Sequence, residues 1–146
     1  MGSRRKGRIL AFQALYAWDM AEDKTGVLEE LLNFSWLEEG KLLKERNFPR
    51  LLAAGTIENI KAVDEAIKKH LVRWDFSRLN LVDRALLRLS VYELMFQATP
   101  PSVVIDEAVD ISREYGTDDS YRFINGVLDG VRKTIERSSA ETKEKL

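Results

Sequence analysis

Val82-Asp83-Arg84-Ala85-Leu86-Leu87-Arg88-Leu89-Ser90-Val91-Tyr92-Glu93-Leu94 is the stretch on which the fold turns. Val82, Leu86 and Leu89 recur at steps of three and four, Phe96 continues the line and Tyr92 stands beside it. That is the spacing of one face of an α-helix, and no period-two alternation competes with it. Thr99-Pro100-Pro101 stops the helix, because the residue before a proline is pushed out of the helical region.

The same period holds on both sides of this stretch. Upstream, Ile9, Phe12, Tyr16 and Met20 predict a first helix over about Ser3 to Met20. A second helix starts after Glu22 to Gly26, with Thr25 as its cap and Val27, Leu28, Leu31 and Leu32 on its buried face. Asn47 is placed to cap a third, with Pro49 in its first turn and Ile60, Val63, Ile67, Leu71 and Trp74 along it. Whether 33–47 holds a further short helix is left open by its pattern. Downstream, a fifth helix from near Ser102 carries Val104, Ala108, Ile111 and Tyr115, and Gly116 suits its C-terminal end. Thr117 caps a sixth, with Asp118 and Asp119 at its positive end and Ile124, Leu128, Val131 and Ile135 along it. Six helices dividing near 74–77 predict an all-α fold: two three-helix sub-bundles, about 3–74 and 77–136, packed as one compact domain over 1–146 with a frayed polar tail at 137–146.

Composition removes several functions. The 146-residue chain has no cysteine and a single histidine, so disulfides and Cys/His zinc sites lack their ligands and nucleophilic catalysis would rest on His70 alone. No apolar run approaches the roughly 20 residues that span a bilayer, and no apolar segment follows the basic start, so neither membrane nor secretion is expected and the cytoplasm is the default. No phosphate-binding glycine loop and no nucleophile–base pair is present, so no catalytic residue, cofactor or metal is expected. Asp118 and Asp119 are explained by helix capping without a metal. Arg88, Glu93 and Glu107 read as an internal ion-pair set between the fourth and fifth helices, and Gly126 and Gly130 as permitting close helix approach.

Net charge is −1, but its distribution is uneven. Arg4, Arg5, Lys6 and Arg8 place four cations in the first eight residues, whereas from Ile9 to Gly40 seven acids oppose Lys24. An anion-binding arm on a near-neutral body fits this asymmetry, and so does a solvated helix start.

Four ordered blocks then resemble the NusB family: Arg4-Arg5-Lys6 with Ala11-Phe12-Gln13-Ala14-Leu15-Tyr16, the Val82–Leu94 stretch, Pro101 to Gly116 with Ile105-Asp106-Glu107-Ala108-Val109, and Ser120-Tyr121-Arg122-Phe123-Ile124-Asn125-Gly126-Val127-Leu128-Asp129. The resemblance covers about 4–133. It implies a transcription antitermination factor that pairs with NusE, which is also a small-subunit ribosomal protein. Such a pair binds the boxA element of single-stranded nascent RNA and helps RNA polymerase resist termination. It also implies the RNA-binding set Arg4, Arg5, Lys6, Arg8, His70, Asp119, Arg122 and Phe123, and a NusE-facing set of Tyr16, Asp83, Arg84 and Leu87.

The residues leave alternatives beside these roles. Phe123 lies at the margin of a core stripe and is either a base-stacking aromatic or a core-edge one. His70 stands where the family often has tyrosine, and a surface histidine explains it equally. Tyr16 fits core packing, and Asp83 fits an ordinary helix-start acid. If all four arm cations met phosphates, the log affinity–log salt slope would be roughly −3, a small footprint that calls for a partner. Two other functions stay open: an RNA-recognition domain of the type attached to ribosomal RNA methyltransferases, and a protein-only helical scaffold. Some members of the family self-associate, and a homodimer could mask the RNA face.

Overall fold

The computed structural model describes residues 2–34, 36, 46–73 and 75–145. Its helices are α1 (Ser3–Met20), α2 (Lys24–Leu32), α3 (Asn47–Glu58), α4 (Ile60–Lys68), α5 (Leu81–Phe96), α6 (Pro101–Tyr115) and α7 (Ser120–Lys145), with one 3-10 turn at Phe76–Arg78. There is no strand among the described residues.

Helix α5 is the axis of the fold. Asn80 caps it by accepting from Val82 N at 2.8 Å. Every residue from Ala85 to Leu94 is buried, so α5 is enclosed on all sides rather than on one face. It packs against α1, α3, α4, α6 and α7, while α1 also packs on α2 and α3, and α6 on α7. The two predicted groups therefore share one core around α5. Enclosure forces the polar residues of α5 to find partners, because a buried charge left alone is costly. Glu93 meets Arg8 of α1, and Arg88 meets Asp64 of α4. The expected ion-pair set linking Arg88, Glu93 and Glu107 is thus replaced by pairs that tie α5 and α6 to other helices.

Tyr92 faces Gly55 of α3, where a β-carbon would collide with its ring and hydroxyl. Glycine here permits α3 and α5 to approach closely.

Several boundaries differ from the sequence expectation. The single third helix is two, α3 and α4, divided at Asn59, whose Nδ2 donates to Gly55 O at 2.8 Å. The first sub-bundle thus contains four described helices. Asp23 rather than Thr25 caps α2, accepting from Gly26 N at 2.9 Å. Asn47 is the first residue of α3 instead of its cap. Helix α4 stops at Lys68, Leu71 packs beyond it, and Trp74 lies outside the described residues. Most of 33–47 also lies outside them. Met20 and Phe96, at the ends of α1 and α5, are 57% and 45% exposed, past the reach of the neighbouring helices. Gly116 ends α6 with φ −93°, an extended backbone and no left-handed turn. The polar tail continues α7 as helix to Lys145.

Candidate functional site

The four arm cations do not share one environment. Arg8 is buried, and its guanidinium meets the buried Glu93 carboxylate twice, Nε at 2.9 Å and Nη2 at 2.7 Å. That bidentate pair raises the Arg8 pKa above its ordinary value, the hydrogen bonds that Arg8 donates to Glu93 outweighing the burial that opposes them. Arg8 is therefore corrected from a phosphate contact to a structural cation. Arg5 is half-exposed and held by two acids of α6, with Nε at 2.8 Å from Glu107 and Nη2 at 2.8 Å from Asp110. Arg4 and Lys6 are exposed, Arg4 resting over the Phe48 ring. These two are the arm cations most open to an anion.

The other sequence-predicted RNA residues gather at the opposite end of α5. Helices α1 and α5 run antiparallel: Arg8 pairs with Glu93 near one end, and Asp19 pairs with Arg84 at 2.8 Å near the other. Ten residue steps along α5 from Asp83 to Glu93 separate the helix start from the Arg8–Glu93 pair by about 15 Å of rise. At the α5 start, Phe123 of α7 is half-buried and stands between two clefts. One, of about 280 Å³, is lined by His70, Val72, Arg73, Arg122, Phe123, Gly126 and Val127. The second, of about 300 Å³, is lined by Arg78, Leu79, Asn80, Asp83, Thr117, Asp119, Ser120 and Phe123. The first cleft thus brings His70 together with Arg122 and Phe123, and the second sets Asp119 beside Phe123, while His70 also lines a further cavity with Met95 and Thr134.

Local structure positions each of these groups. His70 follows the end of α4 and lies against α7, its Nε2 3.1 Å from Thr134 Oγ1. A β-carbon at Gly130 would come within 2.6 Å of His70 Nδ1, so that glycine makes room for the imidazole. Gly126 has open space where a side chain would be, which corrects its expected role in close helix approach. Arg122 is exposed, and its Nε donates to Tyr121 Oη at 2.9 Å. Ser120 opens α7 and accepts from Thr117 N at 3.0 Å.

The predicted partner set fares differently. Leu87 is fully buried and cannot meet a second protein. Asp83 is buried too, lining the second cleft beside Ser120 instead of forming an outward acid. Burial pushes its carboxyl up, with a hydrogen bond from Ser120 working the other way, and its Oδ1 has no hydrogen-bond partner among the described residues. Arg84 is largely enclosed by its pair with Asp19. Tyr16 is half-buried against the core, three residues before Asp19.

Arg73 and Arg78 line the clefts without having stood out in the sequence, and Gly126, read there as a packing glycine, lines one of them too. The two arginines lie within the α4–α5 connection, where loop position alone carries no periodic signal. Gly126 is visible only as a glycine inside a helical pattern.

Known proteins resemble the chain over nearly its whole length. Residues 5–133 match the NusB family. The transcription antitermination protein NusB of Treponema denticola is 53% identical over 133 residues, covering 88% of this chain and 95% of that protein. The same protein of Nitratiruptor sp. is 41% identical over 140 residues, 95% of this chain and 98% of its own length. Among solved structures, T. maritima NusB superposes with a TM-score of 0.77 at 38% identity, covering 91% of this chain and 92% of that one. A crystal structure of the antitermination factors NusB and NusE in complex with dsRNA gives 0.74 at 31% identity, covering 92% and 99%. An α5-centred bundle, a family match from Arg5 onward and relatives of about half-identical sequence together show that this chain belongs to the NusB family.

Proposed function

We propose that this protein is a transcription antitermination factor that binds boxA-type single-stranded RNA together with NusE and acts with RNA polymerase in the cytoplasm. The observation that carries the RNA reading is the position of Phe123, a half-buried aromatic between two clefts that also hold His70, Arg73, Arg78 and Arg122. An aromatic face with cations around it suits a single strand, because bases stack on the ring while arginines take the phosphates. The relative solved with NusE and RNA supports the partner. No residue of the chain is assigned a catalytic role, and no described helix is long and apolar enough to cross a membrane.

Burial of Arg8 and the acids beside Arg5 limit what the arm can supply. With Arg8 enclosed and Arg5 held by acids, Arg4 and Lys6 contribute a salt slope of about −1.4, at about −0.7 per phosphate. So small a contribution leaves affinity dependent on the Phe123 end and on NusE. Tyr16, on the α1 surface beside the Asp19–Arg84 pair, is the residue of the predicted partner set best placed to meet NusE.

The test is a titration of boxA-type RNA with and without NusE at two salt concentrations. Binding should tighten at least tenfold with NusE and weaken as salt rises. Tight binding indifferent to NusE, or none with it, would refute the function.

A further inference from the structure

At the arm end of the bundle, Phe48 and Arg4 make a contact that their positions in sequence do not announce. Phe48 is the second residue of α3 and is half-buried. Its ring edge lies over Gly7, where a β-carbon would stand 2.7 Å from Phe48 Cδ2. Such closeness accounts for a glycine inside α1, at a position where alanine is otherwise favoured. Over the same ring rests the Arg4 guanidinium, 4.2 Å from the centroid. Arg8 lies farther off at 5.4 Å and is turned to Glu93.

A guanidinium stacked on a ring uses its face and leaves its N–H edge able to bond a phosphate. Stacking also restrains a long side chain before any ligand arrives, so less rotamer freedom is lost on binding. We propose that Phe48 is a positioning residue for RNA, holding the exposed Arg4 guanidinium over the start of α3 so that its edge meets a backbone phosphate of the single strand. This rests on the RNA-binding function proposed above.

The experiment is a double-mutant cycle on the NusE-bound protein, titrated with boxA-type single-stranded RNA at two salt concentrations. Phe48→Leu, which keeps apolar bulk, should weaken binding about two- to fivefold, the range of an exposed cation–π contact. It should also flatten the salt slope by up to about 0.7. In an Arg4→Ala background the same substitution should do nothing further, and Phe48→Tyr should bind as the unsubstituted protein does. An unchanged affinity for Phe48→Leu, or an equal loss in both backgrounds, overturns the proposal. If Phe48→Leu does not fold, Gly7→Ala displaces the ring without altering its chemistry and should show the same Arg4-dependent loss; unchanged binding there also overturns it. Absence of RNA binding by the unsubstituted pair overturns the function and this inference together, whereas normal binding with indifferent variants removes the inference alone.

Discussion

Replacing Arg8 by methionine separates a structural cation from an RNA-binding one. The substitution keeps much of the apolar stem but leaves the Glu93 carboxylate, 2% exposed, without the two guanidinium bonds at 2.9 and 2.7 Å. Removing one partner of a buried pair typically costs about 3–5 kcal/mol, mostly the penalty of an uncompensated buried charge. For a domain of this size that corresponds to a fall in Tm of roughly 10 °C. Glu93→Leu in the same chain should restore most of the loss, since an apolar pair of similar volume is often as stable as the ion pair it replaces. Urea denaturation of the four proteins of this cycle measures the stability. RNA titration at two salt concentrations, at a temperature where all are folded, measures the footprint. Arg8→Met should leave the salt slope unchanged. A variant as stable as the parent, with a slope flattened by about 0.7, would show that Arg8 reaches phosphate and that the buried pair is misassigned.

Phe123→Ala should weaken RNA binding by about 1–3 kcal/mol, the usual contribution of a stacked base, while the salt slope measured in the same titration stays constant. Gly126→Ala should raise stability in urea by up to about 1 kcal/mol, because it adds a helix-favouring methyl in open space, yet weaken RNA binding by narrowing the His70–Phe123 cleft. Asp83 gives a pH signature: its folded pKa is raised, so the stability linked to its protonated form is present below about pH 3.9 and lost as pH rises through the folded value. The stability of Asp83→Asn relative to the parent should therefore increase from pH 4 toward pH 7 in urea titrations, and a constant difference would contradict the burial of that carboxyl.

Periodicity revealed the core of this protein because each helix writes its buried stripe locally: Val63 and Ile67, Leu86 and Leu89, and Ile124, Leu128 and Val131 are all buried as their spacing predicts. Caps were less legible, since Asp23 and Thr25 are both competent and only the folded geometry chooses Asp23. The enclosure of α5 was not legible at all, because which faces of a helix are covered depends on neighbours distant in sequence. The arm shows this most clearly. Arg4, Arg5, Lys6 and Arg8 look alike as a run of cations, but Glu107 stands 102 residues from Arg5 and Glu93 stands 85 from Arg8. Periodicity alone does not identify those acids as partners. The grouping at Phe123 was partly legible, its aromatic character and edge position being local, while the clefts on either side require the α4–α5 connection to close against α7.

The ion pairs Arg8–Glu93 and Asp19–Arg84, which join α1 to α5 near opposite ends, act as rivets on a seam. Sliding one helix past the other by a single turn would tear both at once, so the spacing between the arm and the Phe123 clefts is a fixed length of the molecule. RNA that engages both must be long enough to bridge that length. A shorter oligonucleotide can occupy one station or the other, and it forgoes the gain in effective concentration that comes from holding both on one strand.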